Sequence, residues 1–147
     1  MIPQQFVSTV HKAQVQLERH EGGHRLKMYV DSVGKHTIGL GHNLDDKPIS
    51  ILASRTIFEG DLHDAVDDVL REIPWALELS PVRFWALVNF CFNMGIGSLL
   101  GFKRMLTALE AKAYRTAAME LLDSKYREQV GSRAYELAQQ IEGDEWK

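Results

Sequence analysis

The sequence predicts a mostly helical α+β protein with one small β-hairpin. Two observations carry this. Residues 25–41 alternate polar and apolar side chains around a turn, and from Pro48 onward the apolar residues recur at helical spacing. A third, the run Val82–Met94, is apolar on almost every side, as expected of a helix central to a core.

The first segment reads as a helix with Phe6, Val10, Ala13 and Leu17 on one stripe, stopped by Gly22 and Gly23. Residues 25–30 read as a strand, Asp31-Ser32-Val33-Gly34 as a turn, and Lys35 to Gly41 as a second strand thinned by glycines, which in strands often mark close backbone approach to a ligand. Ser50 is a candidate N-cap for a helix whose stripe runs from Ile51 through Phe58, Leu62, Val66 and Val69 to Ile73. Ser80-Pro81 opens the central helix, and Gly95 and Gly97 end it. Short amphipathic helices follow over 102–111, 114–122 and 132–142, with Gly143 closing the last. A small lobe near residues 20–50 and a helical lobe made of residues near 75–147 plus the N-terminal helix form one domain over 1–147, and a cleft between lobes is the natural place for a site.

At 147 residues one domain is expected. Hydrophobic residues at 45% exclude a disordered chain, and a single cysteine, Cys91, excludes a disulfide scaffold. Cys91 lies in the apolar central helix and reads as a buried structural thiol. The net charge of −3 is uneven: +2 over residues 1–42, −6 over 43–80 and +1 over 81–147. Asp61, Asp64, Asp67, Asp68 and Glu72 read as the solvated face of one helix. No basic stripe is interleaved with aromatics, so nucleic acid is not the expected partner. No apolar run reaches the roughly 18 residues of a membrane span, and the N-terminus lacks the pattern of a secretory signal. A monomer without a membrane anchor is expected.

One glutamate admits two readings. His20-Glu21-Gly22-Gly23-His24 matches the zinc-peptidase pattern, in which two histidines one helical turn apart bind the metal and the glutamate activates its water. The glycines stand where that pattern needs helix, and the third ligand is unmarked among His36, His42 and His63. The other reading pairs Glu21, at a helix end, with Asp31, at the hairpin turn, and adds Thr37 on the returning strand. Glycosidic cleavage needs two carboxyl groups held in different protonation states, and a hydroxyl beside them can hold water.

The stretch Glu21-Gly22-Gly23-His24-Arg25-Leu26-Lys27-Met28-Tyr29-Val30-Asp31, then Gly34-Lys35-His36-Thr37-Ile38-Gly39-Leu40-Gly41-His42, closely resembles the phage-type lysozymes, or endolysins, of glycoside hydrolase family 24. That family is marked by E-G-x-R-L-x-x-Y-x-D followed by G-x-x-T-I-G-x-G-H. Residues 86–95, Gly101-Phe102, Ala117-Ala118 and Gly131-Ser132-Arg133-Ala134 resemble its helical landmarks, so the likeness covers roughly residues 17–143. It implies a lysozyme-like two-lobed fold with a helical C-terminal lobe around the buried central helix. It implies Glu21 as general acid, Asp31 as second carboxylate and Thr37 as the residue positioning water. The implied reaction is metal-free, cofactor-free and inverting, on the β-1,4 bond between N-acetylmuramic acid and N-acetylglucosamine of the peptidoglycan glycan strand. A carboxylate gap of about 6.5–9.5 Å would fit inversion. Phe92, Asn93 and Gly41 match substrate-binding positions. His42 and Asp61 match a structural ion pair, and Arg133 matches an arginine against the catalytic glutamate. Core packing is an equal reading for Phe92.

The chain departs from the pattern in one respect: nine residues separate Glu21 from Asp31 where eight are commoner. A glycine, Gly22 or Gly23, absorbs the extra residue most economically as a bulge or loosened helix end. Otherwise Glu21 turns away and Glu18, one turn earlier, becomes the rival acid. Lys35 and His36 read as solvent-facing or sugar-contacting. The resemblance implies a lysis enzyme waiting in the host cytoplasm for a membrane lesion made by another protein, or a particle-borne or bacteriocin-associated enzyme. A wall-binding module that lost catalysis is the remaining alternative.

Overall fold

The computed structural model of the chain describes residues 3–147, apart from the side chain of Phe6. It is mostly helical with a small antiparallel sheet, the α+β class expected. The chain divides into two compact units, one ending at Ser54 and the other spanning Arg55–Lys147.

The first unit opens with a 3-10 helix, Gln4–Thr9, followed by α1, Val10–His20. The helix ends where the sequence says it must. Gly22 and Gly23 hold φ of +74° and +90°, a conformation that only glycine adopts without strain. The Gly23 N–H donates to the Glu18 carbonyl at 3.2 Å and the Gly22 N–H to that of Arg19 at 3.3 Å. This is a Schellman motif, with Glu21 as the C-cap.

Strands β1, Arg25–Val30, β2, His36–Gly39, and β3, His42–Asn43, follow in sheet order β1-β2-β3. The β1–β2 register pairs Arg25 with Gly39, Tyr29 with Thr37 and Val30 with His36. From Arg25 to Tyr29 the first strand advances four residues while its partner advances two, so β1 is bulged. The second strand is shorter than the sequence suggests. Gly39 and Gly41, at φ +67° and +72°, turn the chain at Leu40 and send it back as β3.

The second unit holds the hydrophobic core. Helix α2, Ile51–Glu72, begins in the first unit, with the Ser50 hydroxyl accepting from the Ala53 N–H at 3.1 Å, and buries Ala65 and Val69 in the second. A 3-10 turn, Pro74–Glu78, leads to α3, Pro81–Met94. Ala86, Leu87, Val88, Phe90 and Cys91 of α3 are all buried. They form one broad face of the helix, packed into this unit's core, while Trp85, Asn89, Phe92 and Asn93 on the other side are exposed. Around it lie α4, Ile96–Gly101, α5, Lys103–Glu110, α6, Tyr114–Leu122, α7, Lys125–Val130, and α8, Ser132–Gly143. Phe90 stacks obliquely on Tyr126 at 4.4 Å between ring centres and meets Phe102 edge-on at 4.8 Å. Helices α4 and α7 are shorter than the apolar pattern can register and went unpredicted.

Arg83 ties the start of α3 to the end of α8. Its Nε donates to the Ile141 carbonyl at 2.8 Å, its Nη1 pairs with Asp144 at 3.0 Å, and its guanidinium lies 3.5 Å over the Tyr114 ring. Helix α8 runs through Gly143, and the left-handed residue that caps it is Asp144, φ +59°. That carboxylate bonds the Ser80 hydroxyl, which accounts for an aspartate in a position glycine usually takes.

Candidate active site in the hairpin unit

Three of the residues singled out by sequence lie in the first unit with defined surroundings. Asp31 closes the β1–β2 turn. Its Oδ1 accepts the N–H groups of Val33 and Lys35, each at 2.9 Å, while its own N–H donates to the Lys35 carbonyl at 2.9 Å. This is an Asx turn, the structure a turn aspartate favours. The Lys35 N–H, chief among these donors, holds the Asp31 carboxyl below its ordinary value, opposed only in part by desolvation. Asp31 is thus a fixed anion.

Thr37 stands on β2, two residues past the hub formed by Lys35, and is buried, at 3% exposure. Its hydroxyl reaches Oδ2 of Asp31 at 3.4 Å and the Lys35 carbonyl at 3.2 Å. A hydroxyl has one hydrogen and two lone pairs, so either bond leaves oxygen able to accept from a water.

Glu21 comes from the Schellman end of α1, and its carboxylate rests on the turn between β2 and β3. A Cβ built on Gly41 would collide with Oε2 of Glu21 and lie 2.8 Å from its Cδ. Gly41 therefore seats the Glu21 carboxylate, a more specific place than a general cleft position. Glu18 and Glu21 both line a hollow of about 320 Å³ with Gln14, Leu17 and Leu40, but the contact with Gly41 is made by Glu21.

The zinc pattern meets a geometric obstacle. His20 is the last residue of α1, and two left-handed glycines separate it from His24, so the two histidines do not share a helical face.

Sequence reading missed the residues that hold the turn. Lys35 and His36 are tied to the loop after β3: Lys35 Nζ pairs with Asp46 at 2.9 Å, and Asp45 accepts both the His36 N–H and its Nδ1 at 3.0 Å. Asn43 accepts the N–H groups of Asp45 and Asp46 at 3.0 and 3.1 Å. The only sequence signal was Asn43-Leu44-Asp45-Asp46, an Asx-rich run following a glycine turn.

The remaining candidates lie in the second unit. Phe92 is 41% exposed, packs obliquely on Phe58 at 5.6 Å, and lines a hollow of about 390 Å³ with Trp85, Asn89, Arg133 and Trp146. Asn93, Asp61 and Arg133 are exposed. His42 belongs to the first unit, its Nε2 buried without a hydrogen-bond partner among the described residues. The acidic face of α2 is solvated as expected, with Arg71 bridging Asp68 at 2.5 Å and Glu72 at 2.9 Å. Cys91 is buried, and burial pushes its thiol upward, the behaviour of a structural cysteine.

A helical chain with a small hairpin, presenting a fixed turn carboxylate, a buried threonine and a helix-end glutamate, has the parts of a glycosidase. Comparison with known proteins gives the family. The phage lysozyme profile matches residues 18–140, and the chain belongs to that family. It is 27% identical over 153 residues to a protein of Dictyostelium discoideum named probable T4-type lysozyme 1, covering 84% of this chain and 90% of that one. A second from that organism, probable T4-type lysozyme 2, is 28% identical over 145 residues, covering 79% and 85%. The pre-baseplate central spike protein Gp5 of Enterobacteria phage T4 is 30% identical over 148 residues, covering 79% of this chain but 25% of the spike protein. The chain is a lysozyme of the phage type. Among the described residues, no helix is long and apolar enough to cross a membrane.

Proposed function

We propose that the protein is an inverting muramidase that hydrolyses the β-1,4 bond between N-acetylmuramic acid and N-acetylglucosamine of peptidoglycan. The observation that carries this reading is the contact between the Thr37 hydroxyl and the Asp31 carboxylate in a chain of the phage lysozyme family. In inversion one carboxyl group protonates the leaving oxygen while a water attacks the opposite face of the sugar. Glu21 is the proton donor. Asp31, kept ionised by the Lys35 and Val33 N–H groups, stabilises the positive charge that develops on the ring and draws a proton from the water. Thr37 orients that water through its free lone pairs. The nine-residue spacing is compatible with these roles, because Gly22 and Gly23 end α1 in a defined motif that leaves Glu21 against Gly41.

The other roles belong to the same reading. It takes Phe92, Asn93 and Gly41 as glycan-contacting positions, and His42, Asp61 and Arg133 as structural ion-pair residues. The whole chain acts as one monomeric catalytic domain needing neither metal nor cofactor. It lyses the host wall after waiting in the host cytoplasm for a membrane lesion made by another protein.

Digestion of purified peptidoglycan with and without a strong chelator, followed by mass spectrometry, tests this. Disaccharide-peptides ending in reducing N-acetylmuramic acid, unchanged by chelator, are expected. Cleavage within the peptide stems that the chelator abolishes would instead make His20 and His24 metal ligands. Binding to the wall without release of sugar would leave a binding module.

A further inference from the structure

We propose that Asp45 is a positioning residue for the Asp31–Thr37 pair, acting through the peptide group that joins Lys35 to His36. The inference rests on the muramidase reading for its kinetic consequence and on geometry alone for the rest.

One peptide plane carries the argument. Its carbonyl, that of Lys35, accepts the Asp31 N–H at 2.9 Å and the Thr37 hydroxyl at 3.2 Å. Its N–H, that of His36, donates to Oδ2 of Asp45 at 3.0 Å. The two ends of a trans peptide point in opposite directions, so Asp45 grips the plane from the side away from the catalytic pair. The His36 ring adds a second bond, Nδ1 to Oδ1 of Asp45 at 3.0 Å, so the carboxylate spans main chain and side chain of one residue. Asp45 is itself fixed: its N–H donates to Asn43 Oδ1, and the Leu44 N–H returns to the His36 carbonyl at 2.8 Å.

An isolated surface ion pair would do little here, because solvent screens it. A carboxylate on a peptide N–H is different. The bond is charge-assisted, and it polarises the peptide so that its carbonyl accepts more strongly. The Thr37 hydrogen has two acceptors, the Lys35 carbonyl at 3.2 Å and Asp31 Oδ2 at 3.4 Å. Strengthening the carbonyl commits that hydrogen to Lys35 and frees Asp31 Oδ2 to take a proton from water. The charged groups around this peptide are Asp31, Lys35 and His36 on the hairpin and Asp45 and Asp46 on the loop packed against it. Asp45 is ionised there, the His36 N–H holding its carboxyl below the ordinary value.

The test compares Asp45→Ala with Asp45→Asn in the full chain, with circular dichroism as the check on folding. The asparagine keeps an oxygen for the His36 N–H and the alanine keeps none. Asp45→Ala is expected to lower kcat on peptidoglycan about tenfold with KM within about twofold, the size of one hydrogen bond lost at the reacting end. Asp45→Asn, which keeps the bond but not the charge, recovers part of that loss. Carbon-13 NMR of the Asp31 carboxyl, read without substrate, shows a lower titration midpoint in Asp45→Ala than in the wild type, because the Thr37 hydrogen then turns to Asp31. Unchanged kcat together with an unchanged midpoint overturns the proposal, and so does an equal loss in both variants. If the wild type releases no sugar at all, the muramidase reading fails, and the Asp31 midpoint alone then supports or overturns the positioning role.

Discussion

The carboxylate of Glu21 lies against the Cα of Gly41, at the turn between β2 and β3, with no room between them for a side chain. Gly41→Ala would set a methyl 2.8 Å from Cδ of Glu21 and force alanine into φ +72°. The backbone conformation alone costs about 1–2 kcal/mol. The substitution is expected to lower kcat at least tenfold while the fold survives, because the methyl drives the carboxylate from its seat. Steady-state kinetics with a thermal melt separates the two effects. Full activity at a lowered melting temperature would show that the seat does not matter to catalysis.

Glu21 and Glu18 line the same hollow, and substitution tells them apart. Glu21→Gln removes the proton donor and is expected to cost about 10²–10⁴-fold in kcat, the usual size of general acid catalysis. Glu18→Gln is expected to stay within about twofold of wild type. The reverse pattern would move the acid one turn back along α1.

The Asp31 carboxyl is held below its ordinary value of 3.8, first by the Lys35 N–H. The unfolded chain therefore takes up this proton at a higher pH than the folded one. The stability that Asp31 contributes is complete above its ordinary value and is lost as the pH falls through the folded value. A carbon-13 titration of the folded protein is expected to give a midpoint below 3.8 for Asp31, and Thr37→Val to raise it. A midpoint at or above 3.8 in the wild type would contradict the turn geometry.

Gly22 is the left-handed residue of the Schellman motif that ends α1. Gly22→Ala is expected to destabilise the first unit by about 1 kcal/mol, since alanine tolerates positive φ poorly. Because Glu21 is the cap residue just before it, activity falls further than stability does. Denaturant unfolding alongside kinetics measures both.

In the second unit, Leu87 and Phe90 are buried at 1% exposure on the central helix. Leu87→Ala is expected to cost about 2–5 kcal/mol, the range for a cavity opened in a close-packed core. Urea unfolding followed by circular dichroism gives the value. A cost under about 1 kcal/mol would mean that α3 is not the core's centre.

How much of this was legible in the sequence varies with the length scale of the interaction. The central helix declared itself, because Val82–Met94 is apolar on almost every side, although Trp85, Asn89 and Phe92 leave one side exposed. The turn at Asp31 was legible too, since aspartate, serine and glycine each favour it for local reasons. The end of α1 was readable from Gly22 and Gly23, although the hydrogen bonds that make it a Schellman motif were not. The seat of Glu21 on Gly41 was not legible. It joins a helix end to a turn twenty residues later, and no local rule gives that distance. The Asp45 grip on His36 was hidden for the same reason, because it depends on the β2–β3 register. Sequence left Lys35 and His36 between solvent and sugar, while the structure gives their main chain to Asp31, Thr37 and Asp45.

The most direct test of the account follows the anomeric protons by NMR while the enzyme cleaves a soluble peptidoglycan oligosaccharide. Direct attack by a water held at Asp31 and Thr37 predicts that the α anomer of the new reducing N-acetylmuramic acid accumulates first and mutarotates afterwards. Release of the β anomer first would contradict that account and require a covalent glycosyl-enzyme in place of the positioned water.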